Sequence, residues 1–299
     1  MNDQSSDKML IVNLIDDVKL NRQLSMILHS MPYDVSTKYD AVERKTAVLV
    51  NCLETARGIV SNHPRGSKFS LSVLLIYPGS VDQAFMEIVY KSPLAHFYSA
   101  TEFDGSNLMI ALRKIGNDDI FGVDKYLAWE TSTRKSTITN RNQKHELITN
   151  FAEVIKNAGG RRNFVKRVKA VVDELLMNAI YDAPAASAGV EKVPLAQLVY
   201  GCDGTHFALA VQDPFGALKK DMVASNLLRV FKEGTVPRTT EKEGAGLGLY
   251  YVFSYADHVV FNVDAGSCTE VVCLFKLEND GPRPAGTFVK SFNFFFINK

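Results

Sequence analysis

VKRVKAVVDELLMNAIYDA, residues 165–183, is the stretch on which the reading of this chain turns. Val168, Val171, Val172, Leu175, Leu176 and Ala179 recur at helical spacing and predict a helix with one buried stripe. Glu174 and Asn178 stand four apart and share another face, which Asp182 continues by a further turn. A carboxylate and an amide so placed can jointly address a metal-bound phosphate. The carboxylate orients or deprotonates a hydroxyl or water, and the amide oxygen ligates a divalent cation. Alone, such a pair is ordinarily a solvated helix face. Asp182 reads either as a third acidic group near a metal or as a turn residue before Pro184.

Two segments further along give the pair its context. LAQLVYGCDGTHFALAVQDPFG, 195–216, reads as a strand, a Cys-Asp-Gly-Thr turn and a second strand that delivers Asp213 to a turn ending at Gly216. EKEGAGLGLYYVFSYAD, 241–257, places Gly244, Gly246 and Gly248 directly before an apolar helix. Glycines there let backbone N–H groups approach an anion, and the helix dipole adds to the attraction. The glycines open a helix without following an apolar strand, so they are not a dinucleotide fingerprint, and without Gly-Lys-Ser/Thr they are not a P-loop. HVVFNVDAGSCTEVVCLFKL, 258–277, predicts a hairpin turning at 264–267.

In order and spacing, Glu174-x-x-x-Asn178, Asp213-x-x-Gly216 and Gly244-x-Gly246-Leu247-Gly248 resemble the N, G1 and G2 boxes of the GHKL (histidine kinase-like) ATPase superfamily. A helix at 146–158 followed closely by DELLMNA looks most like its anti-sigma-factor (RsbW-like) serine kinases. The resemblance covers about 145–278 and implies a Bergerat α/β sandwich that binds ATP and Mg²⁺. It implies Asn178 as the metal ligand and Glu174 as the general base or orienting residue. Asp213 would accept a hydrogen bond from the adenine amino group. Gly216, Gly244, Gly246, Leu247 and Gly248 would shape the pocket and cradle phosphate. Residues 217–243 would form a lid with Lys219, Lys232, Arg238 and Lys242 as phosphate contacts. Phe215, where glycine is common, is expected to narrow the adenine pocket or alter lid motion. The implied activity is a Ser/Thr protein kinase acting on a protein partner, such as an anti-anti-sigma-like protein or a transcription regulator. The alternatives are a non-catalytic, nucleotide-gated binding module and a two-component histidine kinase. His145-Glu146-Leu147 compares poorly with a phosphoacceptor box and reads as a surface histidine.

The N-terminal half alternates strands and helices and predicts a parallel sheet covered on both faces. Strands are expected at 10–15, 33–40, 71–78 and 95–99, with helices after Asp17, over 41–62, at 81–91 and at 105–115. An apolar first strand, the pair Asp16-Asp17 and an amphipathic helix resemble the receiver domain of response regulators. That family ends its third strand on a phosphoacceptor Asp, and here the position falls near Tyr77. A degenerate receiver-like domain is therefore expected, with Asp16 and Asp17 as a strand-end turn and helix cap.

The expected organisation is a receiver-like domain at 1–128, a polar linker at 129–144, the ATP-binding domain at 145–280 and an aromatic tail at 281–299. The tail carries five phenylalanines in its last twelve residues. Exposed, it would be an aggregation hazard, so it is expected to add a strand to a sheet or to pack between domains, with a homodimer contact as the sharper alternative. Composition bounds the rest. The chain has 299 residues, 46% hydrophobic, and 34 basic against 33 acidic side chains for a net charge of +1. The electrostatic footprint of a nucleic-acid binder is missing. No apolar run reaches the ~18 residues of a membrane span, and acidic residues flank the first apolar stretch, unlike a signal peptide. The four cysteines lack metal or disulfide spacing. A cytoplasmic signalling protein is the expectation.

Overall fold

The computed structural model describes residues 8–40, 44–63, 67, 69–79, 81–187, 192–233, 247–277 and 288–297. It divides into two compact units, residues 1–80 with 91–120, and residues 81–90 with 121–299. The chain is an α/β protein.

The first unit contains β1 (Leu10–Asn13), α1 (Val18–His29), β2 (Asp34–Ser36), β3 (Thr46–Val50), α2 (Leu53–Asn62) and β4 (Leu71–Tyr77). After α3 (Gln83–Lys91), most of which belongs to the second unit, come β5 (His96–Ser99) and α4 (Gly105–Asn117). The strands run parallel in the order β2-β1-β3-β4-β5, the order of flavodoxin-like doubly wound sheets. Every residue of β3 is buried, which is why TAVLV carries no alternation.

This strand corrects the expected helix over 41–62, which begins only at Leu53. It also moves the third strand. The position after its end belongs to Asn51, not to the neighbourhood of Tyr77, and the Asn51 amide donates to Asp16 across the β1–β3 crevice. Asp17 caps α1, its carboxylate accepting the Leu20 N–H at 2.7 Å.

The second unit holds a mixed sheet. In chain order its remaining elements are β6 (Thr133–Ile138), α5 (Gln143–Asn157), α6 (Arg162–Met177), a π-helical turn (Asn178–Asp182) and α7 (Ala183–Ala186). They continue with β7 (Ala196–Cys202), β8 (His206–Asp213), α8 (Lys220–Glu233), α9 (Leu247–Tyr255), β9 (His258–Asp264), β10 (Cys268–Lys276) and β11 (Ser291–Ile297). The strand order is β6-β7-β8-β10-β9-β11, antiparallel except for the parallel pair β9–β11. Residues 133–138 are thus an edge strand where a linker was expected. The aromatic tail adds β11, with Phe294 stacked on its register partner Phe261 at 4.6 Å between centroids.

The period-2 pleat sorts the side chains of this sheet. Tyr200, Phe207, Phe261 and Phe275 face the helices and meet Phe151 of α5, Phe164 of α6 and Phe253 of α9. These rings form the core that fixes α6 over the sheet. The opposite face carries a polar row in register, Gln197, Gln212, Glu270 and Asn262. Glu270 is fully buried. It accepts hydrogen bonds from the side-chain amides of Asn262 at 2.6 Å and Gln212 at 2.7 Å, and from the Gly122 N–H at 3.1 Å. The segment at 121–122 is thereby pinned to the back of the sheet.

Candidate functional site

On the helix-facing side of the second unit, α6, the π turn, the end of β8, α8 and the start of α9 enclose a cavity of about 440 Å³. This is within the range of small-molecule sites. Glu174, Asn178, Asp182, Asp213, Gly248 and Thr269 all line it. Residues singled out from three separated sequence segments therefore converge on one space.

Each is placed by a local cause. Glu174 stands on the last full turn of α6, half-buried, because the stripe Val168, Val171, Val172 and Leu175 turns the opposite side of the helix into the core. At Asn178 the α-helix gives way to a turn closed by the Ala183 N–H bonding the Asn178 carbonyl, an i→i+5 bond. Such π bulges recur at functional sites. Residues four apart on an α-helix are offset by roughly 40°, and the wider turn reduces that offset. Asn178 and Asp182 both reach the cavity as a result.

Asp213 ends β8 and is almost entirely buried. Its Oδ1 accepts the N–H groups of Phe215 at 2.8 Å and Gly216 at 3.3 Å. Burial pushes its carboxyl above the ordinary value, outweighing those N–H groups, the Thr269 hydroxyl and the Lys192 ammonium, which favour its charged form. Thr269 lies directly opposite it in the β8–β10 register and is 2% exposed. Its buried hydroxyl acts on the Asp213 carboxylate without a partner at full hydrogen-bond geometry among the described residues. Glu174 is also pushed up, first by burial and then by the charges of Asp173 and Asp182, while Lys144 opposes this. Lys144 is held against Asp173 by a 2.5 Å ion pair. Asp182 is exposed at the rim, and the partial desolvation of its carboxyl there raises it as well.

Two glycines mark close approaches. A Cβ on Gly248, in the first turn of α9, would fall 2.1 Å from Glu174 Oε2, so α9 passes directly over the carboxylate. Gly216 has φ of +60°, and a Cβ there would meet the Asp264 carbonyl at 2.0 Å. Gly216 thus seats the turn after β8 against the β9–β10 hairpin turn, whose Gly266 N–H donates to its carbonyl.

Several expectations change. Lys219 is exposed and does not line the cavity; its carbonyl starts α8 by accepting the Met222 and Val223 N–H groups. Lys232 pairs with Glu87 of α3 at 3.3 Å. Phe215 is buried beneath the Lys192 ammonium and stays out of the cavity lining, so it does not narrow the space. The expected lid begins with the ordered helix α8. Arg238, Lys242, Gly244 and Gly246 lie outside the described residues, as does the side chain of Leu247, which opens α9. His145 is exposed on α5. Thr269 was missed by sequence reasoning, because a threonine in a buried strand carries no local signal. Its only cue was its place in the hairpin opposite Asp213.

The lining is acidic. Among the described residues that form it there are three carboxylates and no Lys or Arg. No group of three or more His, Cys, Asp or Glu side chains among the described residues is arranged to hold a metal ion, so a cation here would need the Asn178 amide oxygen. All four cysteines are free. No described helix is long and apolar enough to cross a membrane.

No family model matches the chain, and no curated protein matches it. Among solved structures, it is similar to a chain in the crystal structure of the SiaB–SiaC complex from Pseudomonas aeruginosa. The identity is 13%, over 57% of this chain and 98% of that one, with a TM-score of 0.34. A likeness at that score assigns neither activity nor partner.

Proposed function

We propose that the second unit is a histidine kinase-like ATP-binding module and that the chain is a signalling regulator, acting as a Ser/Thr protein kinase on a protein partner. The observation that carries this reading is the convergence of Glu174, Asn178, Asp213 and Gly248 on one cavity. The residues present fit the nucleotide and its cation. Asp213 offers a buried acceptor for an exocyclic amine, and beside it the Thr269 hydroxyl has a free hydrogen-bonding position. Asn178 supplies an amide oxygen of the kind hard cations accept. In an acidic lining, a polyphosphate enters with its charge offset by a divalent cation.

The bound cation would supply charge neutralisation for the phosphates. The chain's own residues would do the rest. Asp213 selects and orients the base. Glu174 orients the incoming hydroxyl and accepts its proton as the γ-phosphoryl passes to that oxygen and ADP leaves. Its carboxyl is raised toward the working pH by burial, which suits a general base. Phosphoryl transfer asks mainly for positioning of this kind. A second reading, a nucleotide-gated binding module without catalysis, uses the same cavity. It draws on α8, which lines the cavity through Met222, Val223 and Asn226, so that a nucleotide filling the cavity would bear directly on this helix and on the partner surface it presents.

Calorimetric titration of the full chain with ATP and ADP, with and without Mg²⁺, tests the module. Micromolar binding lost in Asp213→Asn is expected; no binding by folded wild type would end the reading. Glu174→Ala then separates the two versions. Loss of phosphoryl transfer with ATP binding retained supports the kinase. Binding to an isolated partner that depends on nucleotide but is indifferent to Glu174→Ala supports the gated module.

A further inference from the structure

We propose that Lys192 is a positioning residue for the base of the bound nucleotide: its ammonium clasps the turn after β8 to the β9–β10 hairpin turn and so holds Asp213 where it selects an exocyclic amine. The inference rests on the ATP reading and extends it to a residue outside the three sequence boxes, on the segment that leads into β7.

Asp213 is held through its own turn. Its Oδ1 accepts the Phe215 and Gly216 N–H groups at 2.8 and 3.3 Å, so the direction of the carboxylate follows the path of residues 214–216. That path has a second anchor. The Lys192 ammonium donates to the Pro214 carbonyl at 2.6 Å and to the Gly266 carbonyl at 3.4 Å, and it lies 5.4 Å from the centre of the Phe215 ring. One cation therefore spans the turn that supplies the donors to Asp213 and the hairpin turn beside it. Backbone joins the same two turns more weakly, the Gly216 carbonyl accepting the Gly266 N–H at 3.3 Å. A charged donor makes a hydrogen bond roughly twice as strong as a neutral one, so Lys192 is the firmer of the two fastenings. Its charge also favours the acceptor-only form of Asp213.

Lys192 does not line the cavity, so it acts through Asp213 without touching a ligand. A fixed acceptor rejects a ligand that lacks the matching donor, because the buried group is then left unpaired. ITP is such a ligand. It carries a carbonyl where ATP carries the exocyclic amine, and against the Asp213 carboxylate that carbonyl sets acceptor facing acceptor.

The test compares ATP with ITP by calorimetry on the full chain, in wild type, Lys192→Met and Lys192→Arg. Methionine keeps an unbranched stem and removes the charge, and arginine restores the charge. Wild type should prefer ATP. Lys192→Met should shrink that preference about tenfold, mainly by losing ATP affinity, while Lys192→Arg keeps it within about threefold of wild type. In the nucleotide-free protein, hydrogen exchange at the Phe215 and Gly216 amides should be about tenfold faster in Lys192→Met. Melting curves verify that the variants fold. A lysine with a merely structural role would lower the affinity for both nucleotides together. An ATP-to-ITP ratio unchanged in Lys192→Met would therefore overturn the proposal, and so would unchanged exchange at the two amides. Wild type that binds neither nucleotide, with exchange faster in Lys192→Met, would refute the ATP reading and leave the clasp on Asp213 standing. Wild type that prefers ATP by a ratio indifferent to Lys192→Met would do the reverse.

Discussion

Replacing Gly248 by alanine should separate catalysis from stability in this protein. The new methyl would sit 2.1 Å from Glu174 Oε2 and 2.8 Å from its Cδ. Ordinary carbon–oxygen contact begins near 3.4 Å, so the carboxylate must retreat by more than an ångström. The obstructing atom ends a flexible side chain, and rotating it costs little. In partial return, alanine is favoured over glycine within a helix by up to about 1 kcal/mol. The two effects nearly cancel, and the melting temperature should stay within about 3 °C of wild type. The position of Glu174 does not survive. A misplacement of about 1 Å at a reacting group costs on the order of 100-fold in rate. Mg²⁺-dependent ATP turnover or phosphoryl transfer should therefore fall about 100-fold, with ATP affinity by calorimetry within about threefold. Gly58→Ala is the control. Gly58 lies inside α2 with nothing within 4 Å of its would-be Cβ, so the variant should gain about 0.5–1 kcal/mol and keep its activity. A folded Gly248→Ala protein that turns over ATP at the wild-type rate would show that the reaction does not depend on Glu174 standing where α9 holds it.

Thr269→Val removes the buried hydroxyl opposite Asp213 at nearly constant shape, so ATP affinity should drop in calorimetry while urea unfolding of the ligand-free protein stays within about 1 kcal/mol of wild type; unchanged ATP affinity would mean that the hydroxyl does not meet the nucleotide. Gly216→Ala meets backbone, not a mobile side chain, at a φ of +60°, and should cost about 3 kcal/mol or more, read as a large fall in the urea midpoint. Glu174, Asp182 and Asp213 titrate above their ordinary values of 4.5, 3.8 and 3.8, burial being the first cause in each. A carboxyl raised in the folded state stabilises below its ordinary pKa and loses that contribution as pH rises through the raised value. Glu174→Gln and Asp213→Asn should therefore melt higher than wild type at neutral pH, with the gain vanishing below about pH 4. Melting curves across pH that show no gain at neutrality would contradict the burial argument.

What the sequence revealed of this architecture followed from how local each signal is. The hairpin turning at 264–267 is written in two apolar runs around a Gly-bearing turn, and the structure has that turn between β9 and β10. The buried stripe of α6 was likewise legible, and with it the shared face of Glu174 and Asn178. TAVLV at 46–50 was not, because a run of four apolar residues after Thr46, followed by Cys52, Ala56 and Val60, fits helical spacing as well as a buried strand. TRKSTI at 133–138 passed for linker because β6 is an edge strand whose residues are mostly exposed, so no burial pattern constrains them. The π turn has no compositional mark at all. Glu270 shows the same limit from the other direction. A carboxylate within CTEVVCLFK looks like a solvent-facing strand position, and only the cross-strand register with Gln212 and Asn262 explains its burial. Lys219 and Lys232 read as phosphate contacts by charge, but charge does not say which way a side chain faces.

The parallel pairing of β11 with β9 sets a timing problem for the ribosome. Ser291 pairs with His258, its partner 33 positions earlier in the chain. At synthesis rates of about 5–20 residues per second, the outer side of β9 waits roughly 2–7 s before its neighbour exists. During that interval Val259, Phe261 and Val263, all buried in the finished sheet, border an unpaired backbone edge. The second unit therefore cannot close as its strands emerge, although β6, β7, β8, β9 and β10 are all complete by Lys276. Its folding is gated by seven late residues, and a chaperone or a stalled ribosome would meet a nearly finished sheet lacking only its last seam.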